Sequence, residues 1–165
     1  MKKTTLITHA AIIAALYVVL TLIANAFGLA NFAVQIRFSE ALTILPLFTP
    51  AAIPGLFIGC LLSNIITGCI AWDIVLGPIA TLLGALGTYA LRRKHPALAT
   101  LPPIAANTLI VPFVLAYAYR FEGSIPYFMA TVCAGEVISC GVLGYGLCLL
   151  LGKYAKYLFR EPQST

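Results

Sequence analysis

The chain has 165 residues, of which 61% are hydrophobic and only 9% are charged. Soluble domains carry about 25% charged residues, so this composition indicates an integral membrane protein and excludes a sizeable soluble catalytic or nucleotide-binding domain. The formal charge is +5. In a membrane protein, the distribution of Lys and Arg among the loops indicates how the helices are oriented in the bilayer, so we do not interpret this charge as a sign of nucleic-acid binding.

The hydrophobic pattern predicts an all-α polytopic membrane protein, a single transmembrane domain over residues 1–165. Because one span needs about 20 apolar residues, a chain of this length has room for five or six. The pattern predicts a bundle of six helices, at about residues 5–28, 39–48, 51–69, 73–91, 100–119 and 125–158. The second helix is too short to cross the bilayer unless it is tilted or assisted.

Two sets of small residues recur at intervals of four, which places the members of each pair on one face of a helix. The first helix carries Ala10, Ala11, Ala14 and Ala15, and the third carries Gly55, Gly59, Ser63 and Thr67. Small residues allow a neighbouring helix to approach closely in a membrane. For the alanines, spacing alone fits packing within the chain as well as contact with a partner.

The basic residues divide unequally between the two sides of the predicted bundle. With six crossings, the side that holds the N-terminus carries Lys2, Lys3, Arg92, Arg93, Lys94, Lys153, Lys156 and Arg160, and the other side carries Arg37 and Arg120. Cytoplasmic loops are enriched in Lys and Arg. We therefore predict a multi-pass protein of the cell membrane with both termini in the cytoplasm.

A group of charged, amide and aromatic residues is expected on the outer side or within the membrane. They are Arg37, Glu40, Asn64, Trp72, Asp73, Asn107, Tyr127 and Glu136. An ionisable group at the bilayer centre costs at least about 2.5 kcal/mol, so the acids are not expected to face lipid. We predict a polar cavity that opens to the outside.

The residue types limit what this cavity can bind. Ionised carboxylates accept hydrogen bonds and suit a ligand with N–H donors or a positive charge, and an indole provides a flat surface for stacking. These features favour a small, planar, donor-rich heterocycle. In a purely structural alternative, Arg37 pairs with Glu40, Asp73 caps the fourth helix, and Glu136 is hydrogen-bonded to Asn64 or Asn107.

The sequence offers no catalytic, metal or cofactor motif. Five cysteines lie in apolar segments without a CxxC pair and are interpreted as packing residues. The stretch GLCLLLGKY at residues 146–154 does not have the spacing of a phosphate-binding loop. We therefore expect neither an enzyme nor a bound cofactor, and a catalytic or nucleotide-binding module would have to come from elsewhere.

Four segments together resemble the QueT family of proposed queuosine-precursor transporters. They are VQIRFSEALTILPLFTPAAIPGLFIGCLLSNI, WDIVLGPIATLLGALGTYALRRK, LPPIAANTLIVPFVLAYAY and GEVISCGVLG. The resemblance covers about residues 5–155. It implies a six-helix substrate-binding S component of an energy-coupling factor (ECF) transporter, which works with a transmembrane T component and two cytosolic ATPases.

The resemblance also implies a ligand and a partner surface. The ligand would be a 7-deazaguanine, namely preQ0, preQ1 or queuine. Our hypothesis is that Glu136 accepts its N–H groups, with Glu40 and Asp73 as the next candidates. Asn64 and Asn107 would read the carbonyl side and Trp72 would stack on the ring. The four alanines of the first helix would contact the T component.

Two other interpretations remain open on the sequence. The same architecture could bind a different planar vitamin, since a fold does not fix its ligand. Alternatively, the chain could be a membrane interaction subunit without a ligand, whose small-residue stripes serve assembly only.

Overall fold

A computed structural model describes residues 3–29, 36–120 and 122–155, and this part of the chain is helical without any β-strand. It contains five α-helical segments and one 3-10 helix. The α-helical segments are α1 (Lys3–Ala26), α2 (Ala52–Ile66), α3 (Ala71–Ala90), α4 (Pro96–Ala118) and α5 (Ile125–Gly152), and the 3-10 helix is Phe38–Leu47. The all-α prediction is confirmed.

Four helices within the described ranges, namely α1, α3, α4 and α5, are long and apolar enough to cross a membrane. The other two are shorter: at 1.5 Å per residue, the 15 residues of α2 extend about 22 Å, against a hydrocarbon core of about 30 Å. The six predicted helices are thus present as four full-length spans and two short apolar helices. The predicted end of the last helix at residue 158, and Lys2, Lys156 and Arg160, lie outside the described residues.

The predicted second helix, at about residues 39–48, is the 3-10 helix, and it lies inside the bundle. Every residue from Ser39 to Pro46 is buried, and the helix contacts α1, α3 and α5. Pro46 has no backbone N–H and cannot complete an α-helical ladder at this point. A 3-10 run of 10 residues is unusually long, and its tight winding lets one short segment bring several polar groups into the core.

Helices α1 and α2 approach closely because two glycines of α2 face α1. A Cβ atom on Gly55 would lie 2.8 Å from the Ala10 carbonyl oxygen, and one on Gly59 would lie 2.7 Å from the Tyr17 Cβ. Ala10 and Ala14 are buried in this interface, whereas Ala11 and Ala15 are exposed. The four alanines therefore face two different surroundings, only one of which is open to a partner.

Helix α5 changes its winding directly after Glu136. Residues Val137–Gly144 form a π-helical segment that packs against the 3-10 helix. Within it, Gly144 allows the backbone of Ala41 to approach, since a Cβ there would lie 3.3 Å from the Ala41 carbonyl oxygen. The wider π turn directs Ser139 and Cys140 toward the 3-10 helix, and π-helical turns are frequent at functional sites.

Candidate functional site

Two acidic side chains meet in the interior of the bundle. Glu40, from the 3-10 helix, is 1% exposed, and Glu136, from α5, is 7% exposed. A carboxylate oxygen of each and the Sγ of Cys140 all lie within 4.8 Å of one another. Elements about 100 residues apart in the chain therefore converge on one buried acidic pair.

Glu40 is fixed in place by hydrogen bonds from two other helices. The Tyr17 hydroxyl of α1 donates to Oε1 of Glu40, and the Asn107 amide of α4 donates to Oε2 at 3.5 Å. Tyr17 and Asn107 are themselves buried. Because a buried carboxylate is costly unless it is hydrogen-bonded, these donors stabilise Glu40 and set its orientation.

Glu136 has weaker partners. The Cys140 thiol, one helical turn later, donates to Oε2 of Glu136 at 3.1 Å, and thiols are weak donors. The Asn107 amide also interacts with Glu136, so it is shared between the two carboxyl groups. Since a carboxylate offers about four lone-pair sites, Glu136 retains capacity to accept further N–H donors.

The 3-10 helix also exposes a backbone carbonyl to the pair. The Glu40 carbonyl oxygen accepts from Thr43 Oγ1 at 2.6 Å and lies 3.5 Å from Cys140 Sγ. Thr43 Oγ1 lies 3.4 Å from the same sulfur. These contacts attach the start of the 3-10 helix to the π-helical segment of α5 and hold the two acids together.

A second group of polar residues lies beside the pair and is linked to it through Arg37. The backbone N–H of Arg37 donates to Ser139 Oγ at 3.2 Å, and its guanidinium interacts electrostatically with Asp73 and Glu40. Asp73, 5% exposed, accepts a hydrogen bond from the Tyr119 hydroxyl at 3.1 Å. Arg37 thus interacts with one acid of the pair and with Asp73.

Asn64 supports the backbone at this second group. Its side-chain amide donates to the backbone carbonyl of Asp73 at 3.0 Å, which joins α2 to the first turn of α3. Gly77 is needed for this contact, since a Cβ there would lie 2.8 Å from the Asn64 amide nitrogen. Of the two amides considered as partners for Glu136, the structure brings Asn107 to it, while Asn64 binds the Asp73 backbone.

Two of the predicted site residues have exposed side chains instead. Trp72 is 64% exposed and Tyr127 is 51% exposed. Trp72 lines an open, apolar groove of about 310 Å³ with Leu76, Phe113, Val114, Tyr117 and Ala118. Tyr127 packs edge-to-face on Phe128, with 5.7 Å between ring centroids. Neither aromatic ring is buried with the acids in this conformation.

Sequence reasoning missed several residues of the site, chiefly Tyr17, Thr43, Tyr119, Ser139 and Cys140. A signal existed for the last two, which follow Glu136 by three and four residues and therefore share its helix face. For Tyr17, the signal was a phenol hydroxyl within an otherwise apolar span, where a buried hydroxyl requires a partner.

The site offers acceptors for N–H donors and negative charge for a cation. Glu40, Glu136 and Cys140 also present three ligand atoms of the kind that bind metals. The geometry favours hydrogen bonding over metal coordination, because Glu40 is already engaged by the Tyr17 hydroxyl and the Asn107 amide and the thiol donates to Glu136.

Comparison with models of protein families gives a match over most of the chain. The model of the QueT transporter family matches residues 7–153, a range that includes every residue of the acidic pair and its partners. Neither the curated proteins nor the solved structures gave a match. The match spans most of the 165 residues, and four helices of the described chain are long and apolar enough to cross a membrane. This chain is therefore a multi-pass membrane protein that belongs to the QueT transporter family.

Proposed function

We propose that this protein is the substrate-binding S component of an ECF importer and takes up a queuosine precursor. The observation that carries the proposal is the buried pair Glu40 and Glu136, with Asn107 shared between them. An acidic pair inside a membrane protein is energetically costly, and such residues commonly mark substrate or ion pathways. Membership of a transporter family supports this assignment.

The ligand in this proposal is a 7-deazaguanine, whose edge carries N–H donors. Glu136, with unused acceptor capacity, accepts these donors, and Glu40 completes the acidic wall. Asn107 and Arg37 supply N–H groups for the ring carbonyl. Asp73 and Asn64 act through Arg37 and the first turn of α3. Trp72 and Tyr127 reach the ligand only after a rearrangement that buries their side chains.

The proposal includes partners, since the chain shows no ATP-binding motif. A T component and two cytosolic ATPases supply the energy, and both termini of this chain lie in the cytoplasm. The surface we assign to the T component is the exposed face of α1 that carries Ala11 and Ala15. Ala10 and Ala14 contribute indirectly by holding α1 against α2.

Uptake of labelled preQ1 tests the proposal. Cells that express this chain with the T component and both ATPases should accumulate preQ1, and cells that lack the ATPases should not. Equal uptake with and without the ATPases would contradict coupling to an ECF module. A panel of planar vitamins on the purified protein separates this ligand class from the alternative of another vitamin, and binding of none would favour a ligand-free interaction subunit.

A further inference from the structure

The charges of the candidate site do not balance. Three acids, Glu40, Asp73 and Glu136, are at most 7% exposed, and in the described part of the chain the cation that interacts with them is Arg37. Fully ionised, this group has two negative charges in excess. Unpaired charge in a low-dielectric interior is strongly unfavourable, so the site as built favours an additional positive charge, supplied either by bound protons or by a cationic ligand.

The excess is greatest at Glu136. Arg37 interacts electrostatically with Asp73 and Glu40, and Asp73 also accepts a hydrogen bond from the Tyr119 hydroxyl. Glu136 lies beside Glu40, with carboxylate oxygens of the two within 4.8 Å, so their negative charges repel each other. The donors to Glu136 are the weak Cys140 thiol and the Asn107 amide that it shares with Glu40. Glu136 is therefore the acid with least compensation, and it faces the other acid of the pair.

We propose that the site discriminates among queuosine precursors by charge: Glu136 makes it prefer a cationic aminomethyl 7-deazaguanine over the neutral nitrile analogue with the same ring. This inference rests on the proposed function and adds to it the charge class of the substrate. The two probes are preQ1, with an aminomethyl group, and preQ0, with a nitrile. A primary alkyl amine such as that of Lys is protonated at neutral pH, so preQ1 supplies the cation that the acid group lacks.

The discriminating measurement is the ratio of two dissociation constants. The purified wild-type protein should bind preQ1 at least about tenfold more tightly than preQ0, a difference of about 1.4 kcal/mol. In Glu136→Gln, which removes the charge and keeps the size, preQ1 affinity should fall much more than preQ0 affinity, so the ratio should approach about one. Glu122→Gln is the matched control, because Glu122 is exposed, and it should retain the wild-type ratio.

Three outcomes separate the claims. Equal binding of preQ1 and preQ0 to the wild type overturns the charge preference without any need for a variant, and it leaves the proposed function standing. An equal loss of both ligands in Glu136→Gln also overturns it, because Glu136 would then read only the shared ring edge. Failure of the wild type to bind either probe contradicts the proposed function itself.

Discussion

Glu40 and Glu136 have the same side-chain chemistry but different surroundings, and their roles follow from the difference. Glu40 accepts from a phenol hydroxyl and, at the longer distance of 3.5 Å, from an amide. Glu136 accepts from a thiol and shares the amide. The first acid is held in position by the protein, and the second is the one with capacity left for a ligand.

The Tyr17 hydroxyl is predicted to contribute directly to stability. Tyr17→Phe removes a donor from a fully buried carboxylate and leaves the acceptor unsatisfied, which costs about 2 kcal/mol. For a chain of this size such a loss lowers the thermal midpoint by roughly 4–8 °C. The measurement is thermal unfolding of the purified protein in detergent.

Tyr154→Phe is the control for this change. Tyr154 is 61% exposed, so removal of its hydroxyl should leave the thermal midpoint unchanged. If Tyr17→Phe were as stable as Tyr154→Phe, the hydrogen bond from α1 to Glu40 would not hold the acid in place.

At the scale of the elements, the site depends on the close approach of α1 and α2. Gly59 lies against Ala14 and Tyr17, so the same contact that packs the two helices also positions the tyrosine that binds Glu40. Packing and site geometry are therefore coupled at one glycine.

Gly59→Ala is predicted to destabilise the protein and weaken the site. The new methyl group would lie 2.7 Å from the Tyr17 Cβ and 3.0 Å from the Ala14 carbonyl oxygen, and overpacking of this kind costs about 1–3 kcal/mol. Thermal unfolding and preQ1 titration of the same sample measure the two effects.

Gly146→Ala provides the comparison, because a Cβ at Gly146 meets nothing within 4 Å. This variant should match or slightly exceed the wild type in stability, since Ala favours a helix more than Gly does. Equal behaviour of the two variants would show that α1 and α2 are not closely packed at Gly59.

The sequence predicted where the helices lie along the chain better than it predicted which face of each helix is buried. Runs of apolar residues define α1, α3, α4 and α5 because a span requires about 20 of them. Adjacent residues on a helix differ by about 100°, and a block such as Ala10, Ala11, Ala14 and Ala15 covers two faces. Which face is buried depends on where Gly55 and Gly59 lie, and that is a tertiary property.

The charged residues of the candidate site could be predicted from the sequence because charge is rare in this chain. Their uncharged hydrogen-bond partners could not. Acids in an apolar chain are conspicuous, and Glu40 and Glu136 stood out. The chain has eight tyrosines and five cysteines, and residue type alone does not distinguish Tyr17 and Cys140 from the others, so their contacts appear only when the helices pack. The 3-10 winding of Phe38–Leu47 and the π turn of α5 are likewise set by packing.

At the scale of the whole molecule, the candidate ligand site and the proposed partner surface lie in different parts of the bundle. The acidic pair lies inside the bundle, while Ala11 and Ala15 lie on the exposed face of α1. Because Tyr17 belongs to the same helix as these alanines, α1 connects the candidate site with the surface assigned to the T component.

Ala15→Trp is predicted to separate transport from binding. A large side chain on this exposed face obstructs close helix–helix contact with a partner, so preQ1 uptake should fall about tenfold or more, as a loss of about 1.4 kcal/mol of coupling produces. The affinity of the purified variant for preQ1 should stay at the wild-type value. Ala26→Trp, also exposed but at the last residue of α1, is the control and should retain uptake.

If Ala15→Trp transported as well as Ala26→Trp, the exposed alanine face would not be the partner surface. A parallel loss of binding would instead mean that Ala15 supports the internal packing of α1.

The central claim is that the buried pair of acids is where the ligand binds, and a structure of this protein with preQ1 bound tests it most directly. We predict the 7-deazaguanine ring among Glu40, Asn107 and Glu136, with ligand N–H groups within about 3 Å of the Glu136 carboxylate. A ligand bound instead in the apolar groove beside Trp72, with Glu40 and Glu136 still in contact only with protein groups, would contradict the account.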